Sequence, residues 1–474
     1  MLSERTLGRY ERFSLSRSLA GVAPVVAVTA LVPAEPRVDP TDFARAVDSL
    51  LAQYPLLSCT VTSTATIEPR FKRATVAASG VLVELSDSAV EPAQALLAAL
   101  DAVKDNGVEQ APLWRLWLSA ADERGRRRAT LAVHHVLSDG SSTRNIFAEL
   151  LSRARAPRAP ASFDPSPTLP PTLEQSVDVR PSALALAKVL FDEFVASRIP
   201  SFLRPSPPPP IFPSPPLLPP YQQGTSLKQL VLPSAAVARL KAAAKAHGVA
   251  TLHPVLYTAF LAALSTVAPP HTTLVGQSPV SLRDDALHPP ISGNYVCSIE
   301  TAHGAPAPQT PFWSACAAYG ARMVDPAERA RARGGMGMLA YVPDGPERGA
   351  GESAPSRTRF DAWMEGVLKA DKPWSATFEV SNLGVLPATG WEGDGGLDEV
   401  LWAQAGMALG PAFAVNPIAV RGGSLGITLT WRSGTVDETT VADIWEAYGR
   451  ALRGLADGEG VEEATFEGVA RGNL

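Results

Sequence analysis

The stretch LAVHHVLSDGSSTRNIFAELL, residues 131–151, concentrates the side chains best suited to moving a proton. Its apolar start reads as a strand ending at His134 and His135; a short polar turn then holds Asp139 and Gly140, and a helix follows from about Ser141. Ile146, Phe147, Leu150 and Leu151 share one face of that helix. Ser141 or Ser142 is its expected N-cap, with Asp139 an alternative capping group. A histidine at a strand end is fixed by a rigid element yet reaches out from a loop. That suits a general base, because neutral imidazole is basic enough near pH 7 to accept a proton. The same position also suits a buried histidine with a purely structural hydrogen bond. What favours chemistry is the whole string HHVLSDG: the chain has only seven histidines, and two of them adjoin here.

The remaining sequence must supply the frame. Ala23–Val32 reads as a strand, and Pro40–Gln53 as an amphipathic helix with Phe43, Val47, Leu50 and Leu51 on one face. Strands are expected at Leu57–Ser63 and Val81–Leu85, a helix at Pro92–Val103, and a hairpin joining Leu113–Ser119 to Ala129–His134. Proline then dominates, from Pro157 to Pro171 and more densely from Pro200 to Pro220, which excludes helix or central strand there. After it come helices at Ser234–His247, stopped by Gly248, and Thr251–Val267, N-capped by Thr251. Strands are expected at Thr272–Leu282, Tyr295–Thr301 and Ser375–Ser381, helices at Pro311–Arg331 and Phe360–Ala370, then a hairpin Phe413–Val420/Leu425–Trp431 and a helix Thr440–Leu455. Interleaved helices and strands imply an α/β or α+β protein with layered sheets. The expected division is a lobe over 1–199, a proline-rich crossover over 200–224 and a second lobe over 225–474.

Composition narrows the class. The chain has 474 residues, 46% hydrophobic and 19% charged, with 42 basic against 47 acidic side chains for a net charge of −5. No basic block stands out, so nucleic acid is not an expected partner. Cys59, Cys297 and Cys316 are odd in number and far apart, which fits neither a disulfide framework nor a metal site. With no N-x-Ser/Thr sequon, this points to a cytoplasmic protein. The apolar run Leu19–Val32 is too short to span a bilayer and is expected to be a buried strand. Neither end reads as a signal peptide or lipidation site, and peripheral membrane association stays open. GxGxxG, the P-loop and HExxH are absent.

HHVLSDG resembles the HHxxxDG signature of the CoA-dependent acyltransferase superfamily, which includes chloramphenicol acetyltransferase, plant BAHD acyltransferases and peptide-synthetase condensation domains. Its HxxxD core falls on His135 and Asp139, completed by His134 and Gly140. PVSLRDDALHPPISGNYV (279–296) is similar to a superfamily stretch with an arginine at a strand end and a Gly-Asn pair, here Arg283, Gly293 and Asn294. FEVSNLGV (378–385), ITLTWRSGTVDE (427–438) and the opening LGRYERFSLSRSL complete a resemblance to the fungal alcohol acetyltransferase family, running in order from about Leu7 to Trp445. The BAHD motif DFGWG is missing.

The resemblance implies two chloramphenicol-acetyltransferase-like lobes, each a mixed sheet with flanking helices, and a channel between them with His135 at its middle. It implies acyl transfer from acyl-CoA, acetyl-CoA being the expected co-substrate, to a small-molecule alcohol such as a hydroxyl of a secondary metabolite. His135 would act as base, with direct transfer and no bound cofactor or metal. Asp139 would turn away from the channel and pair with an arginine, for which Arg283 is the candidate. Gly140 would let the backbone approach the channel wall. Ser381 and Asn382 are candidate oxyanion or CoA-side donors, alternatively a plain strand end and turn; Gly293 and Asn294 are further candidates on the substrate side. A monomer is expected. An amine acceptor would be served by the same base. A non-catalytic scaffold is the remaining alternative, since Arg204, Pro207 and Pro210 match an RxxPxxP ligand pattern.

Overall fold

The expected hairpin forms, and its second strand is the spine of the first lobe. Arg127–His134 runs antiparallel to Trp114–Leu118 on one side and to Val25–Val32 on the other. Leu82–Glu84 adds a parallel edge beyond Trp114–Leu118. The computed structural model describes residues 4–110, 112–156, 168–194, 209–283, 292–304, 307–347, 357–370, 374–392, 396–397, 399–457 and 463–473. Pro40–Gln53 forms as expected, with Asp39 accepting from Thr41 and Asp42 at its start, and buries Phe43, Val47, Leu50 and Leu51 against this sheet. Leu57 and Ser58 belong to a short 3-10 turn before the strand Cys59–Thr62, so the expected strand there begins later.

The second lobe is a six-stranded mixed sheet in the order Val296–His303, Leu274–Ser281, Trp374–Val380, Gly410–Ala419, Leu425–Arg432, Thr225–Leu232. Trp374–Val380 is parallel to both its neighbours; the other pairings are antiparallel. The helix Leu252–Ser265 is buried continuously from Pro254 to Leu264 and packs in the core of this lobe with the helix Glu438–Asp457. The helix expected over Pro311–Arg331 is two helices, Phe312–Val324 and Pro326–Gly337. Asp325 breaks them because its carboxylate caps the second, accepting from Ala327 and Glu328, and Pro326 cannot continue the first.

One strand crosses between the lobes. Val400–Gln404 pairs antiparallel with Val25–Val32, extending the first sheet with a segment from the second half of the chain. The expected break at residue 225 therefore divides the sequence but not this sheet. Without the crossing strand, the Val25–Val32 edge would present unpaired backbone groups. The crossing strand also lies directly on the second sheet: a Cβ at Gly426 would come 2.1 Å from the Val400 carbonyl oxygen, so only glycine fits there.

Residues 200–208 of the proline-rich crossover, including Arg204 and Pro207, lie outside the described residues. The portion that follows is stitched to the second lobe rather than free. Thr273 N donates to Pro210 O, Phe212 N donates to Thr273 O, and Leu217 N donates to Thr435 O. Phe212 is buried in the second core. Phe212→Ala is accordingly expected to cost about 3 kcal/mol or more of stability, the usual range for a buried phenylalanine. Urea denaturation checks it; an unchanged midpoint would mean that the crossover is only a tether.

Candidate active site

Asp139 is where the strand, the turn and the second lobe are tied together. It is the N-cap of the helix Gly140–Arg155, replacing the serines expected there: its Oδ1 accepts from Ser142 N at 2.8 Å. Its Oδ2 accepts from Arg283 Nη1 at 2.8 Å and from Tyr295 N at 2.9 Å. Arg283 Nη2 donates to the Ser142 hydroxyl (2.6 Å) and to Gly293 O (3.0 Å), and the guanidinium lies 4.9 Å from the Tyr295 ring centroid. Asp139 is buried and Arg283 partly so, the side chains 4% and 11% exposed. Burial alone would raise the Asp139 pKa, but Arg283 and the backbone donors of Ser142 and Tyr295 outweigh it and hold the carboxyl below its usual range.

His134 and His135 point to different tasks. His134 is buried; its Nδ1 accepts from Val136 N at 3.0 Å, which places the ring proton on Nε2, 2.9 Å from Ser18 Oγ. Burial, then the neighbouring His135 and Arg17, pushes its pKa down to about 3, so it is a neutral structural tie to the N-terminal helix Arg9–Leu19. His135 is anchored through its backbone: its N–H donates to Pro24 O at 2.8 Å, and Asn294 Nδ2 donates to the carbonyls of His135 (2.7 Å) and Val136 (3.1 Å). Its ring is only edge-on to Tyr10, centroids 6.0 Å apart. Nδ1 is buried without a hydrogen-bond partner, leaving Nε2 as the nitrogen open to the adjoining cavity. Burial lowers the His135 pKa, opposed by Asp139, its own backbone carbonyl and Asn294.

That cavity, of about 130 Å³, draws its walls from the N-terminal helix and from both sheets. Of the residues expected at the site, His135, Asp139, Gly140 and Ser381 line it. His134, Arg283, Gly293, Asn294 and Asn382 are not among its lining residues. Gly293 and Asn294, expected on the substrate side, instead hold the loop from behind, since Gly293 O also accepts from Asp139 N at 3.0 Å. Asn382, expected as an oxyanion or CoA-side donor, sits in a turn in which its Oδ1 accepts from Gly384 N at 2.8 Å. Gly140 lets the helix start close to Leu383, whose Cδ2 lies 2.8 Å from where a Cβ would stand. Tyr10, Arg17, Glu379 and Gln404 also line the cavity and were not singled out from sequence. A signal existed for Glu379: it is the one charged residue of its strand and stands between two core residues, Phe378 and Val380.

Gly422–Gly426 spells GxSxG, but it runs from the turn of the Gly410–Ala419/Leu425–Arg432 hairpin into its second strand. A serine nucleophile of that motif needs a strand-to-helix elbow. Among the described residues, no cluster of His, Cys, Asp and Glu could hold a metal, and no helix is long and apolar enough to cross a membrane. Cys59, Cys297 and Cys316 are buried and unpaired.

Two packed mixed sheets with a histidine loop at their junction define a two-lobed fold of the condensation-domain type. The EpoB peptide-synthetase cyclization-docking bidomain from Sorangium cellulosum superposes with a TM-score of 0.62 at 16% identity, over 97% of this chain and 86% of that one. The first condensation domain of the CDA synthetase gives 0.59 at 16% identity, over 98% of both chains. The condensation domain of the monacolin K polyketide synthase gives 0.60 at 13% identity, over 98% of this chain and 99% of that one. At the level of sequence, the chain is similar to the alcohol acetyltransferase family, whose model matches residues 94–276, the segment that carries His135 and Asp139. No curated protein sequence matches the chain directly.

Proposed function

We propose that this protein is an acyl-CoA-dependent O-acyltransferase in which His135 is the general base. The observation that carries the reading is the division of labour within one loop. Asp139 is locked to Arg283 while the neighbouring His135 keeps a ring nitrogen free at a cavity walled by both lobes. The match to the alcohol acetyltransferase family supports an alcohol as acceptor and acyl-CoA as donor.

In this reading the acceptor hydroxyl gives its proton to His135 Nε2 as its oxygen attacks the thioester carbonyl. The C–S bond then breaks and the CoA thiolate recovers the proton from the imidazolium, with no acyl-enzyme. Such base assistance contributes about 10²–10⁴-fold. The tetrahedral oxyanion requires preorganised donors; the Ser381 hydroxyl, at the cavity wall, is the candidate. Asp139 takes no proton. It positions the loop.

The test is free-thiol release from acetyl-CoA by pure protein across a panel of alcohols and amines. Release with alcohols supports the reading, and release with amines alone would replace it by N-acyl transfer. The pH dependence follows from the site. A base must be neutral, and burial holds the His135 pKa below the ordinary imidazole value. The kcat/KM of the acid limb is therefore expected to hold steady through pH 6.5 and to fall only below it. A limb that falls with a midpoint above pH 7 would contradict that environment.

A further inference from the structure

The cavity beside His135 contains a second group of polar side chains that the acyl-transfer step does not use. Glu379 is 6% exposed and projects from Trp374–Val380 on the face opposite the core residues Phe378 and Val380. Its Oε1 accepts from Gln404 Nε2 at 2.9 Å. Gln404 Nε2 also donates to Asn416 Oδ1 at 3.0 Å, and Asn416 Nδ2 donates to Ala414 O and Thr428 Oγ1, both at 3.1 Å. The carboxyl is thus gripped from behind by a buried network spanning both sheets, while Oε2 makes no hydrogen bond among the described residues. Arg17 also lines the cavity; among the described residues its guanidinium has no hydrogen bond or ion pair, and its Nε is buried without a partner. The Ser298 hydroxyl on the same wall is buried and unpartnered too.

Buried polar groups are normally satisfied, since an unpaired one costs about 1–3 kcal/mol. Several left open around one cavity, on a rigid frame, mark the place of a polar ligand group. The geometry points to a subsite for a second hydroxyl on the acceptor, accepted by Glu379 Oε2 and donated to by Arg17, so that the substrate class is a neutral diol or polyol. A hydroxyl both donates and accepts through one atom, which matches a carboxylate acceptor beside a guanidinium donor. An ammonium group would face Arg17 and a carboxylate would face Glu379, so charge of either sign is disfavoured. Burial, opposed by Gln404 and Arg17, pushes the Glu379 carboxyl up to about 7, consistent with a charge not fully compensated until a donor arrives.

The inference rests on the O-acyl-transfer reading, and two measurements separate their fates. With acetyl-CoA as donor, kcat/KM for glycerol is expected to exceed that for n-propanol by about tenfold or more, the size of one hydrogen bond to a charged group. Glu379→Leu should collapse that ratio toward one. Independently of turnover, infrared difference spectra of folded His135→Ala protein near pH 7 read the Glu379 carboxyl band, identified by its loss on Glu379→Gln. Glycerol should shift the band and n-propanol should leave it in place. A band that responds to neither alcohol, or to both alike, overturns the subsite, as does a wild-type ratio near one. A glycerol-specific shift with no thiol release from any acceptor would keep the subsite and sink the transferase reading.

Discussion

His135→Ala is expected to lower kcat by at least about two orders of magnitude, the usual effect of losing a general base. The fold should survive, because His135 is held through its backbone: Pro24 O and the Asn294 amide bind main-chain atoms that alanine retains. The ring adds an edge contact to Tyr10 and an Nδ1 without a hydrogen-bond partner, so its removal should cost little stability. The loss should therefore fall on turnover and spare the melting temperature. Near-normal thiol release from a folded His135→Ala protein would rule out His135 as the base. His134→Ala is the contrasting case. It breaks the bonds to Val136 N and Ser18, and should lower stability along with activity.

Arg283→Ala should be the most destabilising single change near the site, about 3–5 kcal/mol, because it leaves the Asp139 carboxylate buried without its counter-charge. The backbone N–H groups of Ser142 and Tyr295 remain, but they cannot neutralise it. Asp139→Asn keeps a capping oxygen but leaves the Arg283 guanidinium without its counter-charge, so it too should be costly. Since both substitutions break one interaction, the double variant should lose clearly less than the sum of the two. Additive losses in chemical denaturation would show that the residues do not act as a pair. The pair also sets a pH dependence. Asp139 has a depressed folded pKa, so its contribution is full above the ordinary carboxylate pKa and is lost as pH falls through the folded value.

The sequence made the His135 loop and most flanking elements legible because each carries a local signal. The polar turn announced the Trp114–Leu118/Arg127–His134 hairpin, and the apolar face of Phe43, Val47, Leu50 and Leu51 announced the helix Pro40–Gln53. Arg283 as partner of Asp139 came through resemblance; nothing in the spacing of residues 139 and 283 shows a contact. The elements missed are those whose partners are remote. Arg9–Leu19 buries Glu11, Arg12, Ser14 and Ser16, and so lacks an apolar stripe to betray a helix. Its charges are matched elsewhere: Glu11 by Arg5, and Arg12 by Asp344. The crossing strand Val400–Gln404 is a short apolar run like any other, and its place in the first sheet is decided by an open edge far away in sequence. Glu379 and Arg17 were invisible as a group for the same reason: only the packed lobes bring a strand and a helix more than three hundred residues apart to one cavity.

Direct transfer of an acyl group from CoA to an alcohol, with His135 as base, is the reaction proposed for this cavity. The most direct test measures ester and free CoA thiol in the same reaction, with acetyl-CoA and an alcohol, for wild-type and folded His135→Ala protein. Equimolar ester and thiol from the wild type, both lost together in the variant, is the predicted result. Ester formation that persists without His135, or thiol released with no ester formed, would contradict it.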